Sequence, residues 1–261
     1  NLLVTGLSGC YNSMGQLQPN SDLEGLIGAQ FKGRLTTLDN HVRLPATSGL
    51  EEAKILREGI RPDWHFLVKG YAGIFAPTTA QPFGELMKPH RTVRQLQGKE
   101  GTDWPLSADT PVCPALFLNS VGKGKVLMFT GSPDYATGSE HAISEARYLL
   151  RNAVRALNPH PRVRITAPAT VESVVTDDPT TRTLRIHLLG YNSPPQTIPA
   201  HDRPFVLPAV IEEAPLFRVQ VEVAEPFLSV RAANKKTRIT RKVSRIEAVV
   251  EDVHEVLVVR Y

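Results

Sequence analysis

The hydrophobic positions change rhythm near residue 158. Before it, apolar residues fall into short runs and helix-spaced groups; after it, they alternate with polar residues over strand-sized segments. Leu2-Leu3-Val4 is a short apolar run closed by Thr5-Gly6, the pattern of a parallel strand buried on both faces. Leu23, Leu26 and Ile27 recur at helical spacing behind Ser21 and Asp22, either of which can cap orphan N–H groups, and Gly28 ends that short helix. Residues 32–64 are poorly periodic, apart from a helical turn over Glu51–Glu58 that Arg61-Pro62 breaks. Residues 65–76 alternate weakly. The Pro, Gly and Thr content of 77–114 predicts long surface excursions in place of a regular βαβ repeat.

Ala115–Asn119 and Val126–Thr130 are two strand-like runs separated by Gly122-Lys123-Gly124-Lys125, a hairpin or two neighbouring strands joined by a glycine turn. Ser139 is a good N-cap for the clearest helix. Its predicted apolar stripe is Ile143, Ala146, Leu150, Ala153, Val154 and Leu157, and Asn158-Pro159 stops it. Beyond Pro161 strands are expected over 162–166, 170–176, 183–189, 216–223, 227–231, 246–250 and 255–261. In 216–223 Phe217, Val219, Val221 and Val223 face one way, while Arg218, Gln220 and Glu222 face the other. Asp177-Asp178-Pro179 and Asn234-Lys235-Lys236 supply turns. The pattern predicts an α/β domain over 1–158 and a β-sandwich over 159–261. No internal repeat or low-complexity tract is present.

Composition adds limits. At 261 residues the chain is long enough for two cores, and 41% hydrophobic with 21% charged residues is ordinary for a globular protein. No apolar run approaches the roughly 20 residues a membrane-spanning helix needs, so no membrane partner is expected. The formal charge of +4 is mild. Its one dense basic stretch, Lys235, Lys236, Arg238, Arg241, Lys242 and Arg245, contains no aromatic residue, so it reads as a solvated turn and strand face and not as a nucleic-acid site. The chain opens directly on Asn1-Leu2-Leu3-Val4 without a signal-peptide pattern, as a fragment or a processed product would.

The candidate chemistry is sparse. Gly131–Ser139 joins a strand to a helix, but its glycine spacing is wrong for a phosphate loop and no lysine follows Gly138. Eight histidines, at 41, 65, 90, 141, 160, 187, 201 and 254, show no i, i+3 or i, i+4 pair; no dedicated metal site or cofactor is expected, although scattered ligands could converge in space. Cys10, in Gly6-Leu7-Ser8-Gly9-Cys10, follows a strand as a nucleophile at an elbow would, yet it lacks the second glycine and an immediate helix. Cys113 sits between prolines. The two can pair only if they meet in space, and free thiols are expected. The acidic doublets Glu51-Glu52, Asp177-Asp178, Glu212-Glu213 and Glu251-Asp252 are not framed as a sugar-cleaving carboxylate pair. No catalytic residue is therefore assigned. The rivals are an enzyme using Cys10 or a serine, and a carbohydrate-binding module using Trp64 or Trp104.

Residues 2–31, from Leu-Leu-Val-Thr-Gly to Leu23-Glu24-Gly25-Leu26-Ile27-Gly28-Ala29-Gln30-Phe31, resemble a stretch of the trimerisation domain of beta-galactosidases. Gly122-Lys123-Gly124-Lys125-Val126-Leu127 and the helix that follows are similar to the closing strand and helix of that domain. Ile186-His187-Leu188-Leu189-Gly190-Tyr191-Asn192 is similar to a strand of the small sandwich after it. The resemblance runs in order along nearly the whole chain. It implies a class I glutamine amidotransferase-like, flavodoxin-like α/β fold without that class's cysteine nucleophile, open to being incomplete at its N-terminus, then an all-β immunoglobulin-like sandwich. It further implies a homo-oligomer, with a trimer as one form, and catalytic carboxylates on a preceding (β/α)8 barrel that acts on the carbohydrate substrate. On this basis the chain is expected to be the non-catalytic C-terminal region of a beta-galactosidase-like glycoside hydrolase.

Overall fold

The computed structural model describes residues 1–88, 110–138, 143–168, 170–190 and 216–261. The chain divides into two compact units, Asn1–Pro159 and His160–Tyr261.

The first unit runs β1 (Leu2–Thr5), α1 (Glu24–Ile27), β2 (Ala29–Leu35), β3 (Asp39–Arg43), α2 (Ala53–Leu56), β4 (His65–Lys69), β5 (Ala72–Pro77), β6 (Gln81–Lys88), β7 (Thr110–Val121), β8 (Gly124–Phe129), α3 (Pro133–Gly138) and α4 (Ser144–Leu157). Six strands form a mixed sheet in the order β1-β8-β7-β6-β3-β4, and β2 pairs with β5 in a separate ribbon. β1 is parallel to β8, and every other pair in the sheet is antiparallel. Consequently β1, β4, β6 and β8 run one way, and β3 and β7 the other. This is a mixed α/β body with fewer helices than a doubly wound parallel sheet carries.

Each face of the sheet is covered. On one, Val42, Phe66, Leu86, Leu116, Leu127 and Phe129 pack with Leu56 of α2 and Ala146, Leu149 and Ala153 of α4. On the other, Val4, Phe117, Val126 and Met128 meet Ile27 of α1 and Phe31 and Phe75 of the ribbon. β8 contributes to both clusters, which is why Val126–Phe129 reads as an unbroken apolar run. Asn152 of α4 is fully buried and donates through Nδ2 to Leu56 O (3.1 Å) and Glu58 O (2.8 Å), satisfying carbonyls at the end of α2.

Several expectations are corrected here. β1 is parallel as expected and lies at the sheet edge: Leu3 packs against one core cluster and Val4 is buried in the other, while Leu2 is 41% exposed. Residues 81–88 and 110–114 are strand, not surface excursion; residues 89–109 lie outside the described residues. Pro82, Gly84, Pro111 and Pro114 hid these strands. The sheet accommodates the prolines of β7 beside an irregularity between Leu86 and Met87, where the ladder is already interrupted. β3 and the second half of β2 lie in the stretch without periodicity. α4 begins at Ser144 with Ile143 at its N-cap; Ser139 lies outside the described residues. Its buried stripe includes Leu149, Asn152 and Ala156, while Val154 is 54% exposed: the polar Asn152 on the core side disguised the true face.

The second unit holds β9 (Val163–Thr166), β10 (Val171–Asp178), β11 (Thr183–Gly190), β12 (Phe217–Val223), β13 (Ser229–Ala232), β14 (Arg238–Arg241), β15 (Arg245–Val250) and β16 (His254–Arg260). They form two four-stranded antiparallel sheets, β10-β11-β16-β13 and β14-β15-β12-β9. Leu184, Ile186, Leu188, Leu257 and Val259 of the first share one cluster with Phe217, Val219, Val221, Val223, Ile246 and Val250 of the second, a sandwich-like core. Buried Glu255 accepts from the backbone N–H of Ala233 (2.9 Å), Asn234 (3.2 Å) and Val256 (2.7 Å) and from the Thr237 hydroxyl.

Candidate functional site

Because β1, β4 and β8 run in the same direction, the segments leaving them emerge at one edge of the sheet, the usual place for a ligand crevice in α/β proteins. The sheet curls to bring these ends together. Gly131, just past β8, packs so closely on Val68 of β4 that a Cβ there would lie 3.0 Å from Val68 Cγ1. Gly6, just past β1, has φ +58°, and a Cβ on it would lie 2.4 Å from Ser132 Oγ, so only glycine fits. The Gly6 N–H donates to Phe129 O (2.9 Å) and Gly131 O (2.8 Å), fastening the two strand exits.

Side chains complete the crevice. The Thr5 hydroxyl donates to Asp134 Oδ2 (3.2 Å), holding the carboxylate at the start of α3, and the Ser132 hydroxyl donates to Tyr71 O (3.3 Å). The cavity measures about 350 Å³ and is lined by Leu7, Leu38, Lys69, Gly70, Tyr71, Ser132, Asp134 and Tyr135. Tyr71 and Tyr135 are 49% and 58% exposed, and the Arg34 guanidinium lies 5.6 Å from the Tyr71 ring centroid. Two aromatic faces with a carboxylate, an ammonium and a hydroxyl can hold a small polar ligand that has an apolar face. The described lining contains neither histidine nor cysteine.

Cys10 lies in the loop after β1 but points into the core with Val4, Phe31, Phe75 and Phe117, fully buried. Burial pushes its thiol up; the Ser21 hydroxyl opposes this, and the Glu24 and Asp22 carboxylates add to it. A nucleophilic cysteine needs the opposite, a lowered pKa and access. Burial also raises the thiol of Cys113, which packs against the other core cluster, and both thiols are free.

The acidic doublets serve separate purposes. Glu52 pairs with Lys125, Asp177 with Arg162, Glu251 with Arg238, and Asp252 accepts from Asn234 Nδ2 (2.8 Å); Glu212-Glu213 lies outside the described residues. In the basic stretch, Arg238, Lys242 and Arg245 are ion-paired with Glu251, Glu247 and Glu222, and Arg241 donates to the carbonyls of Phe227 and Leu228. Trp64 is 51% exposed with Arg61 over its ring; Trp104 lies outside the described residues.

Of the histidines, 90, 141 and 201 lie outside the described residues. Burial lowers His41, with His65 adding to the effect. His187 and His254 come together in space, with ring nitrogens 3.4 Å apart. Among the described residues no group of three or more His, Cys, Asp or Glu is placed to hold a metal ion. Sequence reasoning did not find Lys69, Tyr71, Asp134 and Tyr135, because they reach the crevice from segments far apart in the chain. The available signal was Gly6 and Gly131, each immediately after an apolar run.

No family model matches the chain, and no curated protein sequence matches it. Solved structures do. Alpha-L-fucosidase isoenzyme 2 from Paenibacillus thiaminolyticus is similar over 99% of this chain and 36% of its own, with TM-score 0.63 and 19% identity. The beta-galactosidase from Bacillus circulans sp. alkalophilus is similar over 99% of this chain and 29% of its own, with TM-score 0.51 and 12% identity. The beta-galactosidase from Rahnella sp. R3 is similar over 98% and 28%, with TM-score 0.50 and 11% identity. The chain thus spans about a third of the length of these structures, and what it shares with that part of them is the fold.

Proposed function

We propose that the chain is the non-catalytic C-terminal region of a beta-galactosidase-like glycoside hydrolase, serving packing and oligomerisation. The first unit is then an amidotransferase-like α/β domain, and the second an immunoglobulin-like sandwich. The sugar-cleaving carboxylates belong to a (β/α)8 barrel preceding it. The observation that carries this is extent: both units together match about a third of a much longer fucosidase chain. The burial of Cys10 in the apolar cluster at the strand exit supports it, because the amidotransferase-like enzyme reading needs that thiol accessible. The chain is expected to hydrolyse neither nitrophenyl α-L-fucosides and β-galactosides nor glutamine, and Cys10→Ser to change nothing. Turnover abolished by that substitution would establish the enzyme reading instead.

A second reading, capture of a sugar, is favoured by the exposed Tyr71 and Tyr135, which line the crevice together with Asp134. An aromatic face stacks on the C–H face of a pyranose while the carboxylate accepts from its hydroxyls. Calorimetric titration with L-fucose or D-galactose tests it: binding lost in both Tyr71→Ala and Tyr135→Ala supports capture at this crevice, and binding that both variants retain removes it.

A further inference from the structure

We infer that His187 and His254 form a two-imidazole chelate for a borderline divalent transition cation, of the Ni(II), Cu(II) or Zn(II) class, on the outer face of the β10-β11-β16-β13 sheet. Neither residue has a role in the fold's core or in the crevice, and nothing in their sequence spacing pairs them. The antiparallel register does so. His187 on β11 lies opposite Val256, and His254 on β16 lies opposite Leu189, so the two imidazoles are diagonal neighbours on one face. Their ring planes lie within 12° of one another, with centroids 5.7 Å apart and His187 Nδ1 3.4 Å from His254 Nε2, so the two rings meet edge to edge through these nitrogens, within hydrogen-bond reach.

A shared metal would replace the proton between these nitrogens, each ring turning by roughly 35° so that its lone pair aims at the ion. Imidazole nitrogen binds zinc at about 2.0–2.1 Å, and two such bonds spanning the observed gap enclose an angle of about 110°, close to tetrahedral. Imidazole is the donor that nickel, copper and zinc share, whereas magnesium and calcium require oxygen. The residues directly across from the pair, Val174, Val256 and Leu189, carry no charge, while Glu172, across from Leu189 on the same face, is a diagonal neighbour of His187. β11 and β16 are the two central strands of their sheet, so both donors stand on paired backbone and the cation would staple one strand to the other.

Calorimetric titration of the chelator-treated chain with NiCl2 and ZnCl2 tests the inference. We expect one equivalent to bind. His187→Ala and His254→Ala should each weaken that binding at least about tenfold, the loss that even outer-sphere partners of a metal ligand produce. The Tm should rise with metal in the parent chain and in a His160→Ala control, but not in the two variants. The conservative variants His187→Gln and His254→Gln, checked for an unchanged metal-free Tm, separate lost ligation from altered folding. Undiminished binding in the two alanine variants, or no binding to the parent chain, overturns the site.

Discussion

Asp178 and Glu255 show how differently two carboxylates of one β-sandwich can be used. Asp178 is half-buried at the end of β10, just before the turn to β11, and its Oδ1 accepts from Thr180 N (3.1 Å), Thr180 Oγ1 (2.5 Å) and Thr181 N (3.3 Å). The Thr180 hydroxyl first, then the Thr181 side chain and the two backbone N–H groups, hold its carboxyl down to about 2. A carboxyl depressed by folding stabilises above its unfolded value, and that contribution fades as pH falls through the folded one. Asp178→Ala should therefore be less stable than the parent at neutral pH, with the gap closing between about pH 4 and about pH 2. The urea midpoint of both chains across that range checks it, and a gap independent of pH would contradict it. The sequence placed a turn at Asp177-Asp178-Pro179, because Asp and Pro favour turns for local reasons, but Asp177 and Asp178 pair within β10 and the turn starts at Pro179. The sequence carried no sign that Glu255, in an alternating strand, faces inward to bind three backbone N–H groups, since those donors come from residues 233, 234 and 256.

At the scale of elements, local pattern was informative where one face alone is buried. β12 alternates as its sequence says, with Phe217, Val219, Val221 and Val223 inside. Pattern failed where prolines and glycines sit in paired strands, as in β6 and β7, and where a polar residue occupies a core position. Asn152 is the clearest case, because its buried amide joins α4 to the end of α2. Asn152→Ala should destabilise the first unit by about 1–3 kcal/mol, mainly the cost of leaving the buried Leu56 carbonyl without its donor, since Glu58 O also accepts from Arg151 Nη2 (3.2 Å). Chemical denaturation of the variant measures this, and an unchanged midpoint would show that the bonds contribute nothing.

For the molecule as a whole, the change of texture near residue 158 was visible because helical stripes give way to alternation. The crevice was not, since its residues come from four separated segments that only the sheet topology brings to one edge. The extent of the fold likeness carries the functional proposal, and its central claim is that these two units serve subunit contact and carry out no chemistry. Sedimentation equilibrium of the 261-residue chain over a wide concentration range tests that claim most directly. The account predicts a mass that is a multiple of the single chain, with three copies as one form consistent with the resemblance. A single-chain mass at every concentration would contradict it.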